Sequence, residues 1–296
     1  MDPYTISVLS NVALFSFLAI SAWLLMLVGC VSFGQQAYFA IGAYVGGLST
    51  AVFQMPFALA VIFAVLGGAL SAILVALSTL RLSGLHFSIA SLAFAEFIRS
   101  GLNVIQYQRS VDGYLTGPDG ANGFRDIRWI FDVGLSQGQY FVIILAFLLS
   151  VIVLIIGLSF GRDMMIIRCV GENARLASAQ GINPLQVRLI MAGASGAIAA
   201  LGGVLYAHMT TYIEPAQFSV MIGVHALAYG LIGGLGTVLG PVLGVLIDIG
   251  ALETLRFLSS YRMVVFGGLV VLILIWRPRG LLDETFVARV KTCLRR

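Results

Sequence analysis

The segment from Gly161 to Gly203 reads GRDMMIIRCVGENARLASAQGINPLQVRLIMAGASGAIAALGG and changes from charged residues to small apolar ones. Apolar stretches at 139–160 and 186–208 flank its polar part. Each is as long as the roughly 20 residues that a helix needs to cross a bilayer. We therefore expect one helix to end before the polar part and another to begin after it. This alternation of apolar spans and polar loops decides the fold.

The composition indicates an integral membrane protein. The chain has 296 residues, of which 59% are hydrophobic and 10% charged, with a mean hydropathy of +1.01. A soluble domain carries about 25% charged residues, so there is too little charge here to cover a surface that faces water. The apolar runs lack the strict two-residue alternation of an outer-membrane barrel. The predicted fold class is all-α, a polytopic transmembrane helical bundle forming a single domain over residues 1–296.

About nine apolar stretches qualify as spans, within a range of about eight to ten. Their predicted limits are 8–28, 35–54, 57–80, 85–105, 139–160, 186–208, 218–234, 237–255 and 263–276. The second contains VSFGQQAYFAIGAYVGG, whose polar start and many glycines predict a break. The stretch at 218–234 is short, and a re-entrant segment is the alternative there. GLIGGLGTVLGP, which ends at Pro241, predicts a tight turn.

The basic residues orient the bundle. One side holds Arg81, Arg162, Arg168, Arg175, Arg188, Arg277, Arg279, Arg289, Lys291, Arg295 and Arg296. The other holds Arg99, Arg109, Arg125, Arg128, Arg256 and Arg262. The more basic side is expected to be cytoplasmic. This places the loop 161–185 and the tail 277–296 inside, and the loop 106–138 and the N-terminus outside.

The 34 glycines are arranged in packing motifs. Spacings of four residues, typical of helices in close contact within lipid, join Gly42 to Gly46 and Gly236 to Gly240 and Gly244. We predict that these glycines pack helices within the chain. A second membrane subunit is the alternative neighbour for some of these surfaces.

A few charged residues fall at membrane depth, where an unpaired charge is costly. Glu96 and Arg99 are three residues apart, as are Glu253 and Arg256, so each pair shares a helix face. We expect structural ion pairs near the outer interface, the alternative being a solute or proton route. Asp248 has no obvious local partner and is the better candidate for such a route.

The chemistry of an enzyme is missing from the sequence. The only lysine, Lys291, lies in the tail and is not part of a phosphate-binding loop. The three cysteines, Cys30, Cys169 and Cys293, have neither metal-ligand nor redox spacing. There is no zinc signature or nucleophile elbow, so we predict no enzymatic activity, no metal site and no cofactor in this chain. Any nucleotide energy must come from another chain.

The polar loop itself predicts a short helix. GENARLASAQG has helix-forming residues from Glu172 to Gln180, and Gly181 suits the left-handed stop after them. Asn183 and Pro184 then suit the N-cap and first position of the next helix. We expect a separate helix at the membrane surface, an ordinary interfacial helix being the alternative. The small residues expected on its outer face are Ala174, Ala177, Ser178 and Ala179.

GENARLASAQGIN resembles the E-A-A-type cytoplasmic loop of bacterial ABC importer permeases. More specifically, the chain resembles the permeases of branched-chain amino acid importers, of the M-type. Six ordered matches over about residues 30–245 carry the resemblance. They are VSFGQQAYFAIGAYVGG, RLSGLHFSIASLAFAEFIR, LTGPDG with NGF, GRDMMIIRCVGENARLASAQGIN, ALGGVLYAHMTTYIEPAQF and GLIGGLGTVLGPVLG. The chain departs from the family pattern at Gln35–Gln36, at Ser178–Gln180 and in LTGPDGANGF.

The resemblance implies a coupling helix that docks on an ATPase subunit. The residues expected to carry this role are Glu172, Asn173, Ala174, Arg175, Ala177, Gly181, Asn183 and Pro184. The implied partners are a second, related permease, two cytoplasmic ATPases that use the ATP, an external solute-binding protein and membrane lipid, with no nucleic acid. The implied location is the bacterial cytoplasmic (inner) membrane.

The expected function is alternating-access import of branched-chain or other neutral amino acids. Urea or short amides are the alternative solutes, since related permeases import them. A stand-alone proton-coupled transporter, with Glu96 and Asp248 as relay, and a membrane-anchored scaffold are the other classes considered. The candidates for the translocation path are polar or aromatic side chains: Gln35, Gln36, Tyr38, Tyr44, His225, Tyr229 and Asp248.

Overall fold

The structure is a computed structural model that describes residues 2–79, 85–111, 114–159, 161–252, 262–277 and 280–282. Several sequence predictions fall outside these residues. They concern Arg81, the pairing of Glu253 with Arg256, Arg279, and the tail from residue 283 onward.

The described residues are mainly helical. The α-helices are α1 (Pro3–Leu27), α2 (Gln35–Gly47), α3 (Phe57–Thr79), α4 (Leu85–Val104), α5 (Trp129–Asp132), α6 (Gln137–Ser159), α7 (Arg162–Glu172), α8 (Ala174–Ala179), α9 (Pro184–Thr210), α10 (Val220–Gly233), α11 (Leu239–Val245) and α12 (Arg262–Trp276). Segments of π-helix at Leu48–Val52 and Leu246–Leu252 continue α2 and α11. Short 3-10 turns lie at Gly120–Asn122 and Pro215–Phe218.

Four of the described helices, α1, α3, α6 and α9, are long and apolar enough to cross a membrane. They confirm the predicted polytopic helical bundle, and the described part of every other predicted span is mainly helical. The predicted irregularity of the second span lies in its second half, where the π-helix replaces α-helix. Helix α10 has 14 residues and therefore rises only about 21 Å, less than the roughly 30 Å of a hydrocarbon core.

Helices α1 and α9 form the centre of the bundle, where α9 packs against α1, α2 and α3. In the most apolar stretch of each helix, 83% of residues are buried in α1 and 67% in α9, against 28% in α3 and 22% in α6. Because α3 and α6 expose mostly aliphatic side chains, their outer faces suit lipid. The sequence alone ranks α6 as the most apolar helix, and only the packing separates central from peripheral helices.

Glycines permit the close contacts of α9. Gly42 on α2 lies against the backbone of Ala200, and Gly203 on α9 lies against the carbonyl of Phe39. Lipid tails are as apolar as these side chains, so van der Waals contact between backbones stabilises the packing. The remaining glycines of the predicted motifs are distributed as follows: Gly46 lies against Val204, Gly240 against the carbonyl of Gly234, Gly244 against the backbone of Tyr229, and Gly236 in the turn before α11 rather than on a helix.

A small antiparallel sheet, which the sequence analysis did not predict, lies in the loop after α4. Its strands are β1 (Arg109–Val111), β2 (Tyr114–Pro118) and β3 (Phe124–Arg125), in the order β1-β2-β3. Arg109 pairs with Thr116 and Gly117 with Arg125. The N–H of Phe124 donates to the carbonyl of Ile213 at 2.7 Å. This bond joins the sheet to the segment that follows α9.

Candidate functional site

The polar loop contains two helices instead of the single one predicted. Helix α7 continues through Glu172, and Asn173 interrupts it with an extended backbone (φ −154°, ψ 97°). The Asn173 side-chain oxygen accepts hydrogen bonds from the N–H groups of Arg175 and Leu176, both at 3.1 Å. Asn173 is therefore the N-cap of α8, and Glu172 belongs to the preceding helix. An N-cap asparagine satisfies donors that a helix start leaves free.

The residue types between α8 and α9 explain where α8 ends and α9 begins. Gly181 has a φ of +82°, the left-handed conformation expected after a helix. The side chain of Asn183 accepts from the N–H of Leu185 at 3.1 Å and of Gln186 at 3.4 Å, and Pro184 is the first residue of α9. The sequence predicted these three positions from residue type alone.

The exposed face of α8 differs from the predicted one. Ala177 is buried, with an exposed fraction of 2%, whereas Leu176 is 64% exposed and Arg175 is exposed. Ser178 and Ala179 are exposed as expected, and Ala174 is half-buried. The break at Asn173 restarts the helix, so Ala177 faces inward and the outer face includes a large apolar and a basic side chain.

Helix α7 packs against α1, α6 and α9, and two of its contacts with the bundle involve single, well-defined residues. Gly171 lies against the carbonyl of Leu27 at the end of α1, where a side chain could not fit. Arg168 donates from Nη2 to the carbonyl of Gly236 at 3.0 Å, in the turn between α10 and α11. A displacement of α7 and α8 would therefore act directly on three membrane helices.

Replacing Asn173 by alanine is expected to destabilise α8 by about 1 kcal/mol, because two N–H groups lose their acceptor. Hydrogen exchange of the Arg175 and Leu176 amides should then accelerate about fivefold. Asn183→Ala is the matched control, since it should accelerate exchange at Leu185 and Gln186 and leave α8 unchanged. Unaltered exchange in α8 of the Asn173→Ala protein would show that this cap is unimportant.

The first turn of α2 brings buried polar side chains together. The Gln35 side-chain oxygen accepts from the hydroxyls of Ser21 at 3.0 Å and Ser195 at 3.2 Å. Ser21 lies about 9 Å before the end of α1, and Ser195 about 16 Å after the start of α9. The N-terminus of α2 therefore lies inside the bundle. Gln35 and Gln36 have exposed fractions of 0% and 1%.

Tyr38 and Tyr44, also on α2, are buried among aromatic rings. The ring of Tyr38 lies 5.8 Å from that of Phe94, and the ring of Tyr44 lies 6.3 Å from Phe124 and 6.2 Å from Phe218. Tyr44 reaches toward the small sheet, away from the first turn of α2. The predicted path residues of α2 therefore occupy different depths.

The remaining predicted path residues meet at a second place, on α10 and the π-helix. The Tyr229 hydroxyl donates to Asp248 Oδ2 at 2.7 Å, and both residues are buried. The His225 ring lies 6.1 Å from the Tyr229 ring. All three line a mainly apolar cavity of about 480 Å³, together with Asn11, Phe15, Tyr206, Thr210, Ile222, Ile249, Met263 and Phe266.

Replacing Tyr229 by phenylalanine removes the donor to the buried Asp248 and is expected to lower stability by about 1–2 kcal/mol. The thermal midpoint of the purified protein in detergent measures this loss. Tyr107→Phe is the control, because Tyr107 is 47% exposed and should tolerate the change. An unchanged midpoint for Tyr229→Phe would mean that this hydrogen bond contributes little.

Glu96 and Arg99 form the expected ion pair on α4, with Arg99 Nη2 2.8 Å from Glu96 Oε2 and side chains 34% and 38% exposed. The sequence did not indicate Ser21 and Ser195, which bond to Gln35 in the first turn of α2, or the buried Trp23 of α1. Nor did it indicate Thr50 and His208, whose side chains lie 2.9 Å apart in the core. Serine, threonine and tryptophan are ordinary in apolar spans, so residue type alone did not distinguish them.

Comparison with known proteins gives one family. A family model described as "Branched-chain amino acid transport system / permease component" matches residues 4–274. The high-affinity branched-chain amino acid transport system permease protein LivM of Salmonella typhimurium is 27% identical over 277 residues, which cover 87% of this chain and 64% of LivM. The chain thus spans less than two thirds of the length of LivM.

Two other relatives match different shares of the chain. The permease protein LivH of the same high-affinity system in Salmonella typhimurium is 26% identical over 286 residues, 89% of each chain. The autoinducer 2 import system permease protein LsrC of Salmonella paratyphi B is 29% identical over 148 residues, 47% of this chain and 41% of LsrC. No solved structure matches the chain significantly.

These matches agree with the apolar helical bundle. They confirm the predicted family, and a family of transport permeases is not a family of enzymes. The chain is therefore a multi-pass membrane protein that belongs to the permease component family of branched-chain amino acid transport systems.

Proposed function

We propose that the chain is a permease subunit of a bacterial ABC importer for branched-chain or other neutral amino acids in the cytoplasmic (inner) membrane. It works with a second, related permease, two cytoplasmic ATPases and an external solute-binding protein. The family match and the names of LivM and LivH support this assembly. Urea or a short amide is the alternative solute, and LsrC shows that relatives are named for other cargoes.

The main structural support for the proposal is the contact of α7 and α8 with the membrane helices. Helix α8 exposes Arg175 and Leu176, while α7 contacts the end of α1 through Gly171 and the α10–α11 turn through Arg168. Movement of an ATPase docked on α8 would be transmitted to the membrane helices through these contacts. The coupling role extends over Glu172, Asn173, Ala174, Arg175, Ala177, Gly181, Asn183 and Pro184.

Alternating access requires that the ATPase pair bind the two permease conformations with different affinities. The ATPase pair shifts the permease between two conformations only if it binds one of them more tightly. Closure of the ATPases on ATP moves α8 and opens the path outward, and hydrolysis resets it. The lining of the path includes Gln35, Gln36, Tyr38, Tyr44, His225, Tyr229 and Asp248, which lie at different depths on α2, α10 and the π-helix.

Reconstitution of the chain in liposomes tests the proposal. When a second permease, ATPases and a solute-binding protein are included, leucine uptake should require ATP. The chain alone, under an imposed pH gradient, should take up nothing. Uptake by the isolated chain would instead support the proton-coupled transporter. A complete importer that moves urea but not leucine would replace the solute assignment.

A further inference from the structure

The first turn of α2 buries polar atoms that have no hydrogen-bond partner among the residues that the structure describes. These atoms are Nε2 of Gln35 and Nε2 and Oε1 of Gln36. Burying such groups unpaired destabilises a protein, so native proteins keep few of them, and those that remain call for an explanation. Gln36 is the extreme case, because neither end of its amide is paired. A leucine would fill a similar space without this cost.

Two of these three unpaired atoms are donors, and both glutamines lie in the first turn of a helix. The N-cap of α2 is Gly34, which has no side chain to satisfy the first N–H groups of the helix. A helix N-terminus carries a partial positive charge that favours anionic groups. The glutamines add uncharged N–H donors, and Gln36 Oε1 adds one acceptor. A carboxylate accompanied by an ammonium group, as in a neutral amino acid, matches this arrangement.

Helix α10 covers the Gln36 amide and is only 14 residues long. Gly223 lies directly against the Gln36 amide, and Gly230 faces Trp23 and Met26. The helix is bounded by Ser219, which is extended (φ −70°, ψ 161°), and by Gly234, which has a φ of +91°. With non-helical backbone at both ends, α10 can move as one body away from α2. Because Gly223 has no side chain, the backbone of α10 lies directly against the Gln36 amide.

We propose that the α2 N-terminus is the carboxylate subsite of the transported solute, closed in this conformation and opened when α10 separates from α2. The amides of Gln35 and Gln36 donate to the carboxylate, and Gln36 Oε1 accepts from the ammonium group. This inference rests on the proposed function and specifies its solute as an α-amino acid rather than urea, which has no carboxylate.

Variants at Gln36 test the subsite in the complete importer, with both permeases, the ATPases and the binding protein in proteoliposomes. Gln36→Leu should reduce leucine uptake about tenfold or more, because a bound carboxylate loses a donor. Gln36→Glu should reduce it at least as much, since a negative side chain repels the carboxylate. Gln108→Leu, at an exposed position after α4, is the matched control and should retain wild-type uptake.

Thermal stability separates this role from a structural one. Gln36→Leu removes two buried unpaired atoms, so the purified protein should unfold at the wild-type temperature or above it. A clearly lower midpoint, or leucine uptake within twofold of wild type, would overturn the subsite. Retained uptake by Gln36→Glu would also overturn it, because that result indicates a site for a cation. A wild-type importer that moves no amino acid would contradict the proposed function instead. The two failures can be distinguished because the stability measurement does not depend on transport.

Discussion

Gly42→Leu is expected to prevent the bundle from packing. An added side chain at this position meets the backbone of Ala200 on α9, and backbone cannot move aside as a flexible side chain can. Helices α2 and α9 would have to separate along the centre of the bundle, and the expected loss exceeds about 3 kcal/mol. The measurement is the yield of monodisperse protein in detergent and its thermal midpoint.

Gly157→Leu is the control for this substitution. Gly157 lies on the exposed face of α6, and a Cβ built there meets no atom within 4 Å. The same chemical change should therefore leave yield and midpoint close to those of the wild type. Equal stability of the two variants would contradict the view that close contact between α2 and α9 holds the bundle together.

Leu176→Asp is expected to abolish ATP-driven uptake while leaving the bundle intact. Leu176 is a large apolar side chain that is 64% exposed on α8, and a docked ATPase would cover it. A buried, unpaired carboxylate at such an interface costs several kcal/mol, which corresponds to a loss of binding of more than about a hundredfold. Co-purification of the ATPase subunits and leucine uptake should both fall, with the thermal midpoint of the permease unchanged.

Leu115→Asp is the matched control, because Leu115 is 68% exposed on the small sheet, which lies away from α8. It should retain ATPase binding. Ala174→Arg tests the same surface independently: Ala174 is half-buried at the start of α8, and a long charged side chain should disturb docking. ATPase binding that survives both α8 substitutions would show that this helix is not the coupling element.

The sequence predicted those features that depend on residues close together in the chain. The positions of the spans follow from hydropathy, since a backbone in lipid must satisfy its hydrogen bonds within one helix. The stop at Gly181 and the start at Asn183–Pro184 depend on their own backbone conformations and neighbouring N–H groups. The Glu96–Arg99 pair likewise needs only the geometry of one helix.

In the loop 161–185, the types of neighbouring residues were not enough to predict the break at Asn173. Glu172 and Asn173 are both compatible with a continuous helix, so the sequence predicted one from Glu172 to Gln180. In the structure, Gly171 is held against the carbonyl of Leu27, and the chain changes direction at Asn173. That change turns Ala177 inward and Leu176 outward. The exposed face of α8 therefore depends on how α7 and α8 pack on the bundle, which residue type does not show.

The residues alone were enough to predict a helical membrane protein, the positions of its spans and the loop with a separate polar helix. Which polar residues meet depends on the folded arrangement of the helices. Gln35 joins Ser21 and Ser195, and Tyr229 joins Asp248, because α1, α2, α9 and α10 approach closely enough for these contacts. Hydropathy fixes how deep a residue lies in the membrane. The face it presents to its neighbours depends on close packing, which glycines far apart in the chain allow.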